Sequence, residues 1–371
     1  MIYFDNAATT LPLSKPHDIY YNPSSPHNLG IISERRLRNA REKIAAILNC
    51  NVNELIFTSG GTESNNIAIL GYALSNTRQD VNLLCLPYEH PSITAPMQVA
   101  HERGWAIYSA LNYNNIPDGN ILCSLSHVNH ETGDIHDIKM ITTIIKNKNP
   151  KAIIHIDGVQ SICKEDLWLE NIDLYSFSGH KCHGPSGTGG LWIRKGLRIT
   201  PIIHGGGQEN GLRAGTENVT GLVNMAEAII IMHKNLYNNH RHVYSIKEIL
   251  MQLCDDLPDV TINTYRSLLH GNDADYICGS SPYILNMSFL GIKGEVLVHA
   301  LSRKDIHVSM GAACNRNKRV KTALEQMGFS TAIADSAIRF SFSAYNTKKE
   351  AEIVRDTVIT EVTRLRKYLY R

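Results

Sequence analysis

The sequence predicts an α/β protein: a large domain with a mostly parallel sheet, followed by a smaller α/β domain. Three observations lead there. Short apolar runs rich in β-branched and aliphatic residues recur along the first half, at Leu55 to Thr58, Val81 to Leu86, Trp105 to Tyr108, Ile121 to Leu125, Ala152 to Asp157, Asp173 to Ser178 and Gly190 to Ile193. Stretches with helical periodicity separate several of them, the alternation expected of parallel strands joined by crossover helices. The pattern then changes near Ser245, beyond an expected long helix at Thr220 to Asn238.

Taken in order, the first clear helix is Ser33 to Leu48. Leu37, Ile44, Ile47 and Leu48 share one face, while Glu34, Arg35, Arg38 and Glu42 lie off it; such a helix covers a core with its apolar side. The seven runs are each short enough for buried strands. From about Ser245 to the end the chain reads as a second α/β segment, with the polar, Gly-rich stretch Asn272 to Ser281 expected as a loop within it. The expected domains are 14–245 for the large one and 1–13 with 246–371 for the small one.

Composition bounds the class. A chain of 371 residues, 43% hydrophobic and 19% charged, can bury a large core and is not a disordered one. Lys and Arg number 37 against 35 Asp and Glu, a formal charge of +2, so no global field favours nucleic acid or an anionic membrane. No apolar run approaches the roughly 20 residues of a membrane span, and the start Met1-Ile2-Tyr3-Phe4-Asp5-Asn6 is unlike a secretory leader; the expected location is cytoplasmic. Eight cysteines (50, 85, 123, 163, 182, 254, 278 and 314) are scattered without a C-x-x-C pair, so neither a disulfide framework nor a metal site is expected.

The residues that carry chemistry cluster after the expected strands, where open α/β sheets place their ligands. Lys181 sits in Ser176-Phe177-Ser178-Gly179-His180-Lys181-Cys182-His183-Gly184-Pro185, among small, polar and imidazole groups at a strand end. Partial burial beside other cationic groups lowers a lysine's pKa and prepares it as a Schiff-base nucleophile. Ser59-Gly60-Gly61-Thr62-Glu63-Ser64-Asn65-Asn66 follows Leu55 to Thr58 and opens a helix. Its glycines and helix N-terminus suit a phosphate, although alone such a turn also serves as a plain cap. It is neither a Walker motif nor a dinucleotide fingerprint. A second Gly-rich tract runs from His204 to Thr216. Asp157, closing the run Ala152 to Ile156, needs a cation or a donor if buried; a protonated ring nitrogen and a plain helix-cap role both answer that need.

Together these residues resemble the class V aminotransferase group of pyridoxal-phosphate enzymes and, within it, the cysteine desulfurases of the NifS/IscS kind. The resemblance runs nearly end to end. It is carried by Tyr3 to Thr10, Asn22-Pro23-Ser24-Ser25, Phe57 to Asn66, Glu89-His90, His127-Val128-Asn129, Asp157 with Gln160, Ser178 to Lys181, Gly205 to Thr216, and Ala337 to Ser341. It implies the fold type I architecture and pyridoxal 5'-phosphate as cofactor. It assigns Lys181 the covalent link to the cofactor aldehyde, Asp157 the ring nitrogen, and Gln160 the phenolic oxygen. The phosphate falls to Gly61, Thr62, Ser178 and His180, joined by Thr216 of a partner subunit in a homodimer. His90 stacks on the ring and helps move protons, and Arg339, with Asn129 and His130, receives the carboxylate of L-cysteine.

Cys314 distinguishes a desulfurase from a plain aminotransferase. It lies in His307-Val308-Ser309-Met310-Gly311-Ala312-Ala313-Cys314, a run of small residues suited to a mobile loop. The resemblance makes it the thiolate that takes the substrate sulfur as a persulfide. An ordinary thiol is only about 3% ionised at pH 7, so its surroundings matter. The next residues, Asn315-Arg316-Asn317-Lys318-Arg319-Val320-Lys321, hold four cations that can favour the thiolate, steer an anionic acceptor such as tRNA or an acidic carrier protein, or simply be solvated; the resemblance leaves a sulfur-acceptor protein or a tRNA-modification enzyme as the partner. His130 stands where relatives carry a second asparagine. Two other functions fit the same residues: a related lyase acting on another sulfur or selenium amino acid, and a sulfur-relay scaffold without catalysis.

Overall fold

The computed structural model describes residues 1–13, 21–77, 80–113, 115–264, 276–310 and 321–369. They form two compact units, Leu11–His127 with Asp137–Asn235, and Met1–Thr10 with Val128–His136 and Leu236–Arg371.

The first unit is built on a seven-stranded sheet. Its strands, numbered here within this unit, are β1 (Leu55–Thr58), β2 (Val81–Cys85), β3 (Ile107–Ala110), β4 (Asn120–Ser126), β5 (Ile153–Asp157), β6 (Leu174–Ser178) and β7 (Gly189–Ile193), in spatial order β1-β7-β6-β5-β4-β2-β3. All run parallel except β7, which is antiparallel to both β1 and β6. This is the expected α/β sheet with mostly parallel strands. Helices α1 (Asn28–Leu48), α2 (Gly61–Ser75), α3 (Pro91–Glu102), α4 (Ile138–Lys148) and α5 (Val219–Lys234) accompany it. One side of the core joins Ile56, Leu83, Leu122, Leu174 and Leu191 of the sheet to Ile67, Ile69, Ile93 and Met97 of the helices.

Parallel packing sends the carboxyl ends of β1, β2, β4, β5 and β6 to one edge of the sheet, and the segments that follow them carry the expected site residues. A polar bridge ties the middle of this sheet: His155 on β5 pairs with Ser124 on β4 (2.7 Å) and Ser176 on β6 (2.9 Å). Burial lowers the pKa of this imidazole to about 3, so it stays neutral and both ring nitrogens are satisfied.

In the second unit Ile284–Phe289 is the middle strand of a three-stranded antiparallel sheet, flanked by Val260–Ile262 and Ala337–Ser341. Helices Leu236–Met251 and Lys348–Leu369 belong to this unit, and its core gathers Leu250, Leu285, Met287, Phe340, Val354 and Val358 around Phe4. The N-terminal strand Ile2–Tyr3 pairs in parallel with Ile306–His307.

Among the differences between sequence expectation and structure, three concern where an element begins, breaks or forms. Helix α1 begins at Asn28 rather than Ser33, because His27 accepts the Gly30 N–H and caps an extra turn. The single helix expected at Thr220 to Asn238 is two, α5 and Leu236–Met251, broken at Asn235 where one unit ends and the other begins. Within the expected loop Asn272 to Ser281, Ile277–Ser280 is a strand paired antiparallel with Asp134–His136; a partner distant in sequence satisfies its backbone, and no local pattern advertises that.

Gly158, directly after β5, donates its N–H to Ser176 O (2.8 Å), and a Cβ there would overlap the ring of buried Tyr175. Overpacking of this kind costs about 1–3 kcal/mol. Gly158→Ala is therefore expected to lower the free energy of unfolding by that amount in a urea titration, whereas Gly187→Ala, in open space but at positive φ (77°), loses only the smaller backbone term.

Candidate functional site

At the carboxyl edge of the sheet the chain builds an anion cradle. The turn after β1 places Gly60 at φ 152°, a conformation L side chains rarely adopt, and α2 starts at Gly61 with no side-chain cap. Gly189 on β7 has no Cβ to collide with the Gly60 backbone, and Ser178 and Thr58 both pair with Gly189 across the strands. The Ser178 hydroxyl lies beside this turn, buried and without a hydrogen-bond partner among the described residues. First-turn amides, a helix dipole and a spare hydroxyl together favour an anion.

His180 and Lys181 occupy the short 3₁₀ turn after β6, both half-buried. Burial, aided by the charges of Lys181 and Lys164, lowers the His180 pKa to about 4, so it meets an anion as a neutral donor. The Gly-rich tract from His204 to Thr216 is pinned at two points. Arg41 grips buried Glu209 with two 2.7 Å hydrogen bonds, and Glu209 also accepts the Phe57 N–H of β1. Arg213 pairs with Glu63 at 2.8 Å, and Glu63 accepts the Ser59 N–H beside the cradle. Thr216, at the end of the tract, is exposed.

Asp157 ends β5 buried, its exposure 6%. One carboxylate oxygen accepts the Val159 N–H (2.9 Å) and the other the Asn65 side-chain amide (2.8 Å). Gln160, also buried, accepts a hydrogen bond from Lys164 Nζ at 3.3 Å through its amide oxygen. His90 is the N-cap of α3: its Nδ1 accepts the Ser92 N–H and lies 2.8 Å from the Ser92 hydroxyl. Beside it Glu89 is buried and accepts the Ser126 N–H at the end of β4. Burial, with the nearby Asp157 charge adding to it, raises the Glu89 pKa to about 8.

The residues expected to meet the substrate carboxylate gather in the second unit. Arg339 is buried; its guanidinium donates to the His130 carbonyl (2.7 Å) and lies 3.4 Å from Asp5 and 3.8 Å from Glu131. The His130 ring is 3.6 Å from Glu131. Asn129 turns its amide oxygen to the N–H groups of Glu131 and Thr132, while its Nδ2 is buried with no partner among the described residues. Ser309 exchanges both backbone hydrogen bonds with Arg339. Cys314 and the basic stretch Arg316 to Val320 lie outside the described residues. Among the described cysteines, burial raises the thiol pKa of Cys50, Cys85, Cys123 and Cys182 to about 12. Cys182, next to Lys181, is thus held as an inert thiol.

The class-V aminotransferase family model matches residues 2–354. The chain belongs to that family. It is 34% identical to a NifS/IscS-type homologue of Lactobacillus delbrueckii subsp. bulgaricus, over 95% of this chain and 94% of that one. It is 33% identical to the cysteine desulfurase IscS of Buchnera aphidicola, over 98% and 93% respectively. Among solved structures, a NifS-like protein superposes with a TM-score of 0.86 at 32% identity, covering 99% of each chain. The chain is thus a member of the NifS/IscS branch, with fold type I architecture, and enzymes of this family work with pyridoxal 5'-phosphate. No helix among the described residues is long and apolar enough to cross a membrane.

Sequence reading left Asn65, Ser92, Lys164, Glu131 and Arg213 without roles. Each either stands inside a quoted motif or one turn from one, but polar residues near motifs are common, and only three-dimensional contact singles them out.

The raised Glu89 pKa makes stability depend on pH. Between about 4.5 and 8 the folded chain keeps a proton on Glu89 that the unfolded chain has released, so this group's contribution is lost as pH rises through that window. In the cofactor-free protein, Glu89→Gln is expected to raise the melting temperature at pH 8 by on the order of 2–4 °C and to change it little at pH 4.5; an equal shift at both pH values would contradict the assignment.

Proposed function

We propose that this chain is a homodimeric, pyridoxal-phosphate-dependent cysteine desulfurase that converts L-cysteine to L-alanine, holds the sulfur as a persulfide on Cys314 and passes it to an acceptor. The observation that carries the reading is the buried Asp157 carboxylate at the same sheet edge as Lys181 and the uncapped start of α2. Family membership supplies the chemical context.

The residues fit the cofactor. Gly61, Thr62, Ser178 and the neutral His180 suit its phosphate, and the buried Ser178 hydroxyl, without a partner among the described residues, can donate to it. Asp157, with a donor on each oxygen, is oriented to accept from a protonated ring nitrogen. Gln160, whose oxygen accepts from Lys164, carries an NH₂ group of the kind that donates to a phenolic oxygen. When bound, the cofactor supplies an aldehyde for amino groups and an electron-withdrawing ring that stabilises negative charge at the substrate Cα. Thr216, exposed on its own unit, suits a phosphate contact across a dimer interface.

The remaining steps belong to the chain. Arg339 receives the substrate carboxylate, and the Asn129 amide, without a partner among the described residues, is a second donor for it; His130 holds Arg339 through its carbonyl. Lys181 Nζ would hold the cofactor through its aldehyde and take up the Cα proton, and His90 would lie against its ring. The Cys314 thiolate attacks the substrate sulfur: an S–S bond forms, the Cβ–Sγ bond breaks with its electron pair left on carbon, and a proton completes alanine.

Lys181→Ala is expected to bind cofactor reversibly and to yield no borohydride-trapped lysine adduct in peptide mass spectrometry; a retained adduct would place the link elsewhere. Cys314→Ala is expected to keep the adduct and lose sulfide release by about 100-fold or more, while the parent shows a persulfide on Cys314 in the mass spectrum after incubation with L-cysteine. Sulfide release at the parental rate would assign the nucleophile to another cysteine.

A further inference from the structure

A continuous hydrogen-bond relay links Asp157 to His90 through two residues that the proposed function leaves unused. Asn65, on the second turn of α2, is fully buried. Its side-chain nitrogen lies 2.8 Å from Asp157 and 2.8 Å from the Ser92 hydroxyl on α3. That hydroxyl lies 2.8 Å from His90 Nδ1.

The direction of each bond follows from chemistry. A carboxylate can only accept, so the Asn65 atom facing Asp157 is its NH₂ and the amide orientation is settled. An NH₂ group has two hydrogens and no lone pair to offer, so the second hydrogen goes to Ser92 Oγ. Having accepted there, the Ser92 hydroxyl has one hydrogen left, and it points to His90 Nδ1. The Ser92 backbone N–H points to the same atom at 3.1 Å. A ring nitrogen facing two donors is an acceptor, and the neutral imidazole then carries its hydrogen on Nε2.

We propose that Asn65 and Ser92 are positioning residues that orient the two groups expected to touch the cofactor ring, Asp157 at its nitrogen and His90 at its face, and that they set His90 as the Nε2–H tautomer. This rests on the assignment of Asp157 and His90 to the cofactor. Neither Asn65 nor Ser92 touches the reacting atoms in this scheme. Asn65 acts as a polarised clamp between α2, β5 and the start of α3. Were residue 65 a pure acceptor, the Ser92 hydroxyl would turn toward it, and His90 Nδ1 would be free to carry the hydrogen instead.

That reversal is the test. The holoenzyme is labelled with ¹⁵N-histidine, and the His90 signals are identified by their absence in His90→Gln. The parent is expected to show the Nε2–H tautomer. Asn65→Asp, close in shape but with an acceptor toward Ser92, is expected to shift the population toward Nδ1–H. Ser92→Ala, which removes the hydroxyl, is expected to shift it the same way and to lower kcat about three- to tenfold with KM within about twofold, the range for one lost neutral hydrogen bond; Ser92→Thr restores both. A parent His90 in the Nδ1–H form, or tautomer and kcat unchanged in both Asn65→Asp and Ser92→Ala, overturns the proposal. The borohydride-trapped Lys181 adduct is measured in parallel: its absence from the parent would mean that the cofactor assignment has failed, whereas its presence with an unmoved tautomer means that the relay has.

Discussion

The buried carboxylate of Asp157 is the constraint around which the larger unit is organised. An ionised group removed from water costs several kcal/mol unless donors replace its hydration. Here Val159 N–H and the Asn65 amide do so from two directions, and the chain must deliver both to the end of β5. Delivering Asn65 requires α2 to start immediately after β1, which in turn requires the glycine turn at Gly60. Delivering Val159 requires the tight exit through Gly158 against Tyr175. The features that make an anion cradle and a cation partner are therefore consequences of the same packing.

Around this centre the structure separates polar duties by burial. His155 is buried and neutral, a brace between three strands. His180, less buried but beside two lysines, is neutral as well and suited to donate to an anion. Glu89 holds a proton that an exposed glutamate would release, partly because Asp157 already carries the local negative charge. Buried thiols, Cys182 among them, are protonated and passive, in keeping with a nucleophile carried on another segment. The second unit has its own constraint: Arg339, buried on the edge strand Ala337–Ser341, is held by a carbonyl and faces two carboxylates.

Much of this was legible in the chain itself. The parallel sheet announced itself because its buried strands are continuous apolar runs, and Lys181, Asp157 and the Gly60-Gly61-Thr62 turn stood out because each is an unusual residue at a strand end. Where reading failed, the missing information was non-local. Ile277–Ser280 forms a strand because Asp134–His136, far away in sequence, supplies its partner. The helix after Val219 divides at Asn235 because two cores begin there, although the helical pattern runs straight through.

The sequence by itself determined the class of fold and the family, and it singled out the residues proposed to react, since those depend on residue type and short spacing. The tertiary structure alone decided how those groups are held. Which atom of Asn65 meets Asp157, which nitrogen of His90 accepts, and why Glu89 retains its proton all depend on atoms from different helices and strands meeting within hydrogen-bond distance in a buried place. Such meetings are properties of packing, and no residue encodes them alone.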